Sequence, residues 1–183
     1  MHKSLLNTLI GASLLSSSVT VFAATVAGGT VHFKGEIVNA ACAVSTNTAD
    51  QIVNLGQYRT ARFTGVGTYS GKVPFTINLE DCDSTVSTTA AVAFTGTADS
   101  NDNTVLAVSN IGGGASGAAG GVGIEISDRT GAVLTPNGAV YSAPQTLNDG
   151  SNVLAFNARY KATQATTTPG AADADATFTI DYQ

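Results

Sequence analysis

A chain of 183 residues has room for one domain or two small ones. Its 8 Lys+Arg against 13 Asp+Glu give a net charge of -5, which leaves no basic surface to neutralise a phosphate backbone and excludes nucleic acid as a main partner. Charged residues are 11% of the chain, Trp is absent, Met occurs only as Met1, and the two His are His2 and His32, so there is little material for acid-base or metal chemistry at neutral pH, and neither catalysis nor a cofactor is expected.

Residues 1–23 place His2 and Lys3 ahead of an apolar stretch from Leu5 to Leu15, then serines and Val21-Phe22-Ala23. That is the order of a secretory signal cut after Ala23. A transmembrane anchor needs about 20 apolar residues, and Asn7, Thr8, Gly11 and the serines interrupt this stretch.

The segment that follows, residues 24–33, alternates. Thr25, Ala27, Gly29, Val31 and Phe33 share one phase, small or apolar throughout, while Thr30, His32 and Lys34 face the other way. Such a segment suits strand addition, in which main-chain hydrogen bonds hold the strand and alternate side chains fill pockets. Pattern alone fits an ordinary first strand of its own domain equally well. His32 has no Ser or Cys motif to serve and reads as an outward strand position.

Cys42 and Cys82 are the two cysteines. In an exported protein such a pair is expected to close into a disulfide; a redox or metal-binding pair would need CxxC spacing or further Cys/His ligands. Between and beyond them the apolar residues recur at spacing two: Val73, Phe75, Ile77 and Leu79; Val92 and Phe94; Val122, Ile124 and Ile126; Leu154 and Phe156; Phe178, Ile180 and Tyr182. Each set lies on one face of a strand. Turn chemistry separates them at Asn101-Asp102-Asn103, Pro136-Asn137-Gly138 and Asn148-Asp149-Gly150, and no helical stripe appears. An antiparallel β-sandwich of about seven strands follows.

Three fragments that imitate known sites are read as structure. Glu80, Asp81 and Asp83 flank Cys82 but have no surroundings that would split their pKa values, so they are a charged strand end. Asp99, Asn101 and Asn103 open like a calcium loop, yet Thr104 stands where the sharp turn demands Gly and Asn110 where the bidentate Glu belongs. Gly112, Gly114 and Gly117 satisfy GxGxxG, but the residues after them alternate as a strand instead of opening a helix.

Taken together, several blocks resemble a known family. The run from Gly28 to Val44 is similar to the opening of the mature type 1 fimbrial major subunits, the shaft pilins of the chaperone-usher pathway. So are Val53-Asn54-Leu55-Gly56-Gln57-Tyr58-Arg59-Thr60-Ala61, Leu79-Glu80-Asp81-Cys82-Asp83, Asp128-Arg129-Thr130-Gly131-Ala132 and Ala171 to Phe178. The resemblance implies an all-β, incomplete immunoglobulin-like sandwich that lacks its last strand and is completed by a donor strand from a neighbouring subunit. On this chain it implies a signal peptide 1–23, a donor extension 24–33 and a pilin domain 34–183, with Thr25, Ala27, Gly29, Val31 and Phe33 as the donor face. The family's C-terminal signature falls on Gly170 and Tyr182, so Gly170, Ala176, Phe178, Ile180 and Tyr182 become the expected groove edge and chaperone contact. Implied partners are identical subunits, a periplasmic chaperone, an outer-membrane usher and minor tip subunits; the implied destination, reached through the periplasm, is a pilus on the cell surface. A minor fimbrial subunit or the pilin domain of an adhesin with direct ligand binding is the alternative, although a tip adhesin would normally need an added lectin domain. A secreted sandwich enzyme would need a convergent catalytic set that the sequence does not offer.

Overall fold

The structure is a computed structural model that describes residues 26–113, 115 and 117–183. The expected signal peptide, Ala24, Thr25 and Gly114 lie outside the described residues. The chain divides into two units, Met1–Glu36 and Ile37–Gln183. In the first, residues 26–36 form neither helix nor strand and every one is exposed, so the strand expected through Val31 and Phe33 is not formed. Alternation creates a face, but a strand exists only within a ladder, and this segment enters none.

The second unit runs β1 (Ala43–Val44), a single helical turn α1 (Thr46–Ala49), a 3-10 turn (Thr60–Arg62), β2 (Val73–Cys82), β3 (Thr89–Gly96), β4 (Leu106–Ala107), β5 (Val122–Asp128), β6 (Asn137–Tyr141), β7 (Gln145–Thr146), β8 (Gly150–Ala162) and β9 (Ala176–Tyr182). One sheet has the order β1-β2-β8-β5-β4. In the other, β3 carries β9 along one edge and β6 and β7 in succession along the other. All of these pairings are antiparallel.

Register puts the alternating apolar sets opposite one another. Phe75 pairs Phe156 and Ile77 pairs Leu154 across β2 and β8, while Val92 pairs Ile180 and Phe94 pairs Phe178 across β3 and β9. Ile77, Leu79, Val92, Leu154 and Phe156 are fully buried, each contributing about 1.5 to 3 kcal/mol of burial. Two strands start inside what the sequence presents as turns: β6 at Asn137 and β8 at Gly150. Gly138 and Gly150, at φ 73° and 88°, supply the left-handed residues that let a turn run straight into a ladder.

The outward face of β5 is buried as well, which alternation did not suggest. Its Glu125, 2% exposed, is held by Arg159 of β8 at 2.7 Å, and Lys161 lies 3.8 Å from it. Lys161 in turn pairs with Asp102 at 2.7 Å, and Arg159 lies 3.5 Å over the Tyr69 ring. A buried carboxylate is tolerable only when paired in this way. The turn after β3 is closed by its own carboxylates: Asp99 accepts from the backbone N–H groups of Asn101 and Asp102, and Asp102 from that of Thr104.

Asp128, at the end of β5, is 1% exposed. One carboxylate oxygen accepts from the backbone and hydroxyl of Thr130 and the backbone of Ala132; the other accepts from the backbone of Ala143. Burial acts to raise its pKa, but these hydrogen bonds outweigh burial and hold it below the usual carboxylate value. Its contribution to stability is therefore complete above the unfolded pKa, about 3.9, and is lost as the pH falls through the lower folded value. Asp128→Ala is expected to cost about 2 to 3 kcal/mol at neutral pH by stranding three backbone donors, and to flatten the acid limb of stability. Urea unfolding at several pH values checks both; an unchanged acid limb contradicts the assignment.

Candidate functional site

The two sheets do not close along one side. Among the described residues β1 pairs only β2, and β9 pairs only β3, so no described strand lies along the outer edge of β9. Between them lies an open cavity of about 670 Å³. Val44, Val53 and Leu55 line one wall; Ala174, Ala176 and Phe178 line the other. Its floor is the core itself: half-buried Phe75 and, nearly covered, Phe94, Leu106, Ile124, Ile126 and Ala158.

Aromatic packing makes this floor firm. Phe94 meets Phe156 edge-on at 5.4 Å between centroids and Phe178 at 6.4 Å, and Phe75 stands 5.6 Å from Phe156. Such pairs contribute about 0.5 to 1.5 kcal/mol beyond burial. The first wall is built differently. Residues 51–55 alternate between half-buried and exposed, as a strand would, with Val53 and Leu55 turned to the cavity and Ile52 88% exposed. Yet no ladder holds them; Gln51 donates from its side-chain amide to the Thr76 carbonyl at 3.2 Å. The cavity is thus an apolar slot beside a free strand edge, the shape that an added strand with alternate apolar side chains would fill.

Cys42 and Cys82 are joined by a disulfide, both buried. The bridge ties the chain just before β1 to the end of β2. Tyr182 adds a second tie, its hydroxyl donating to the Cys42 carbonyl at 3.4 Å, and burial pushes its pKa up.

Of the C-terminal residues singled out from the sequence, Ala176 and Phe178 line the cavity, whereas Ile180 and Tyr182 are half-buried against the core farther along β9. Gly170 lies elsewhere. It lines a neighbouring depression with Tyr58 and Arg59, where a Cβ would come within 2.6 Å of the Ala118 carbonyl oxygen, so glycine permits the 118–119 loop to close on the 168–173 segment. Ala27, Gly29, Val31 and Phe33 are exposed, Val31 by 74% and Phe33 by 92%. Gly29 has φ 137°. The wall residues Val44, Val53 and Leu55 were not singled out from the sequence as site residues; the signal available was the two-residue spacing of Val53 and Leu55.

The Fimbrial protein family model matches residues 31–183. A fimbrial subunit type 1 from Salmonella typhimurium is 54% identical, with 100% of this chain and 99% of the relative covered. The type-1 fimbrial protein A chain of Escherichia coli K12 is also 54% identical, over 93% and 92% of the two chains. Among solved structures, the P pilus rod subunit PapA superposes with a TM-score of 0.65 at 28% identity, covering 79% of this chain and 100% of that one. A subunit from a chaperone-usher pilus, whose structure was described for rod uncoiling, gives 0.68 at 30% identity, over 88% and 100%.

Proposed function

The chain belongs to the Fimbrial protein family, and from that premise we propose that it polymerises by giving its N-terminal segment, residues 24–33, to the open groove of the next copy. It is a structural pilin, a subunit of a surface pilus. In the proposed rod, Thr25, Ala27, Gly29, Val31 and Phe33 form the inserted face, and the pilin domain 34–183 receives the strand of its other neighbour. Support comes chiefly from one observation: the unpaired edge of β9 beside an apolar slot of about 670 Å³. Donor and groove are different surfaces, so every contact is head-to-tail, and such contacts propagate into an open filament when the rotation does not close.

A subunit with this groove empty presents an unpaired edge and exposed apolar surface, both hazards for aggregation. A periplasmic chaperone that lends a strand until an outer-membrane usher exchanges it is the corresponding partner, and minor tip subunits end the filament. Cells producing the chain with its matching chaperone and usher should display rods by electron microscopy; folded, secreted subunit without filaments would refute the rod assignment. Tyr182→Ser, which removes an aromatic contact and a hydrogen bond from the last strand, should lower co-purification with the chaperone, and undiminished capture would show that β9 is not the recognised strand.

A further inference from the structure

The charge of the pilin domain is unevenly placed along its strands. From Gln51 to Leu79 the sequence contains no Asp or Glu but holds Arg59, Arg62 and Lys72, in the stretch that leads into the first residue of β2. Those three are exposed. Arg59 and Arg62 border a surface depression with Gln57, Tyr58 and Gly71, and Arg62 donates to the Tyr69 carbonyl. Among the described residues none of the three is in an ion pair, because the pairs present use Arg159 and Lys161. Asp173 is the one carboxylate lining the adjoining depression.

The opposite end of β2, roughly 30 Å away at strand rise, carries Glu80, Asp81 and Asp83. Asp149 joins them, since Cys82 pairs Gly150 and Ser84 donates to Asp149. Asp181 is added by β9, whose last residues lie against the start of β3. The hydrogen bonds of Asp83, Asp149 and Asp181 come from neutral groups, Thr85, Ser84 and Gln183.

Strand direction brings these unlike ends together in a polymer. β9 runs from Ala176, opposite Gly96, to Tyr182, opposite Ala90, so it ends at the acidic end. A donor strand added antiparallel, as every strand pairing of the domain is, runs the other way and leaves the groove beside Ala174 and Asp175, next to the depression that Asp173 and Arg59 line. The first buried residues of its own domain are Ala41 and Cys42, and the Ala41 carbonyl accepts from Asp83 N–H, so that domain presents its acidic end. The tether, residues 34–41, reaches at most about 29 Å. We infer that consecutive subunits dock through a second, electrostatic interface, the Arg59–Arg62–Lys72 surface of the strand acceptor against the Glu80–Asp83 and Asp149 end of the strand donor. This rests on donor-strand assembly and adds to it a contact that orients each incoming copy.

The test is polymerisation of the purified full-length mature chain, followed by light scattering and electron microscopy at low salt and at high salt, where the Debye length falls to about 3 Å. Arg59→Glu with Lys72→Glu should slow low-salt assembly by about tenfold and invert its salt dependence, because salt then screens a repulsion. Arg59→Gln with Lys72→Gln, which withdraws charge without adding repulsion, should fall between and stands in if the reversed chain does not fold. Adding Glu80→Lys and Asp83→Lys to the reversed chain should restore the low-salt rate. An unchanged rate in both basic-surface variants, or a four-site chain no faster than the reversed one, overturns the interface. Failure of donor-strand assembly itself reads differently: a chain lacking residues 24–31 would then polymerise as fast as the full chain.

Discussion

Removal of residues 24–31 is expected to abolish rod formation while the remaining domain still folds on its chaperone. The groove walls, the disulfide and β9 all lie beyond the deletion, so the truncated chain should accept a strand, have none to give and become a chain end. The size of the effect follows from what the strand supplies: about 1 kcal/mol for each backbone hydrogen bond to the free edge of β9 and about 1.5 to 3 kcal/mol for each Val or Phe moved from water into the slot. Val31 and Phe33, exposed in the described chain, are the residues with most to gain. A bulky replacement of Gly29 should also obstruct insertion: a side chain forced into a site sized for glycine typically costs about 1 to 3 kcal/mol. Its φ of 137° must in addition relax to an extended value for the ladder to form. Thr30→Ala, on the opposite face, should do little. Filaments counted by electron microscopy, with chaperone-bound subunit measured alongside, decide the matter. Normal polymerisation of the truncated chain contradicts the donor assignment, and a truncated chain that cannot fold even on the chaperone makes 24–31 an internal strand.

Cys42→Ser should lower stability by about 2 to 5 kcal/mol and suppress accumulation of the subunit in the periplasm. The bridge closes a loop of 40 residues, which constrains the unfolded chain by roughly 4 kcal/mol in the chain-entropy account. It has a second role in this fold. β1 is two residues long and pairs with β2 only through Ala43 with Glu80 and Val44 with Leu79, too short a ladder to hold the groove wall that follows it. Fixing Cys42 to Cys82 anchors the start of that wall, and the Tyr182 hydroxyl donates to the Cys42 carbonyl from the opposite sheet. Free-thiol titration of the denatured, unreduced protein should find none, and two reactive thiols per chain would refute the bridge in solution.

The sandwich was legible in the sequence because its strands are half-buried, so burial writes itself as alternation. Phe75, Ile77 and Leu79 in β2, Leu154 and Phe156 in β8, and Phe178 and Ile180 in β9 all face inward as their spacing requires. Two features left no such trace. Alternation does not mark Glu125 or Asp128 as buried, yet Arg159 pairs with the first, and the backbone donors of Thr130, Ala132 and Ala143 hold the second; Arg159 comes from a strand far along the chain, and a periodicity of side chains records no backbone donor. The groove is the other. Its walls are ordinary short apolar runs, and the missing strand between them has no residues of its own in the receiving domain. Likewise the alternation of Val31 with Phe33 records which face is apolar and not which chain supplies the ladder. Only the resemblance to pilins connected the two ends.

The most direct measurement is a density map of the assembled rod at a resolution that traces side chains in the groove between residues 44–55 and β9. The account predicts a single strand there, antiparallel to β9, whose Val31 and Phe33 side chains point to Phe75, Phe94 and Ile126 and whose backbone continues into the next subunit. A groove left empty, or filled by residues of the same chain, would contradict it.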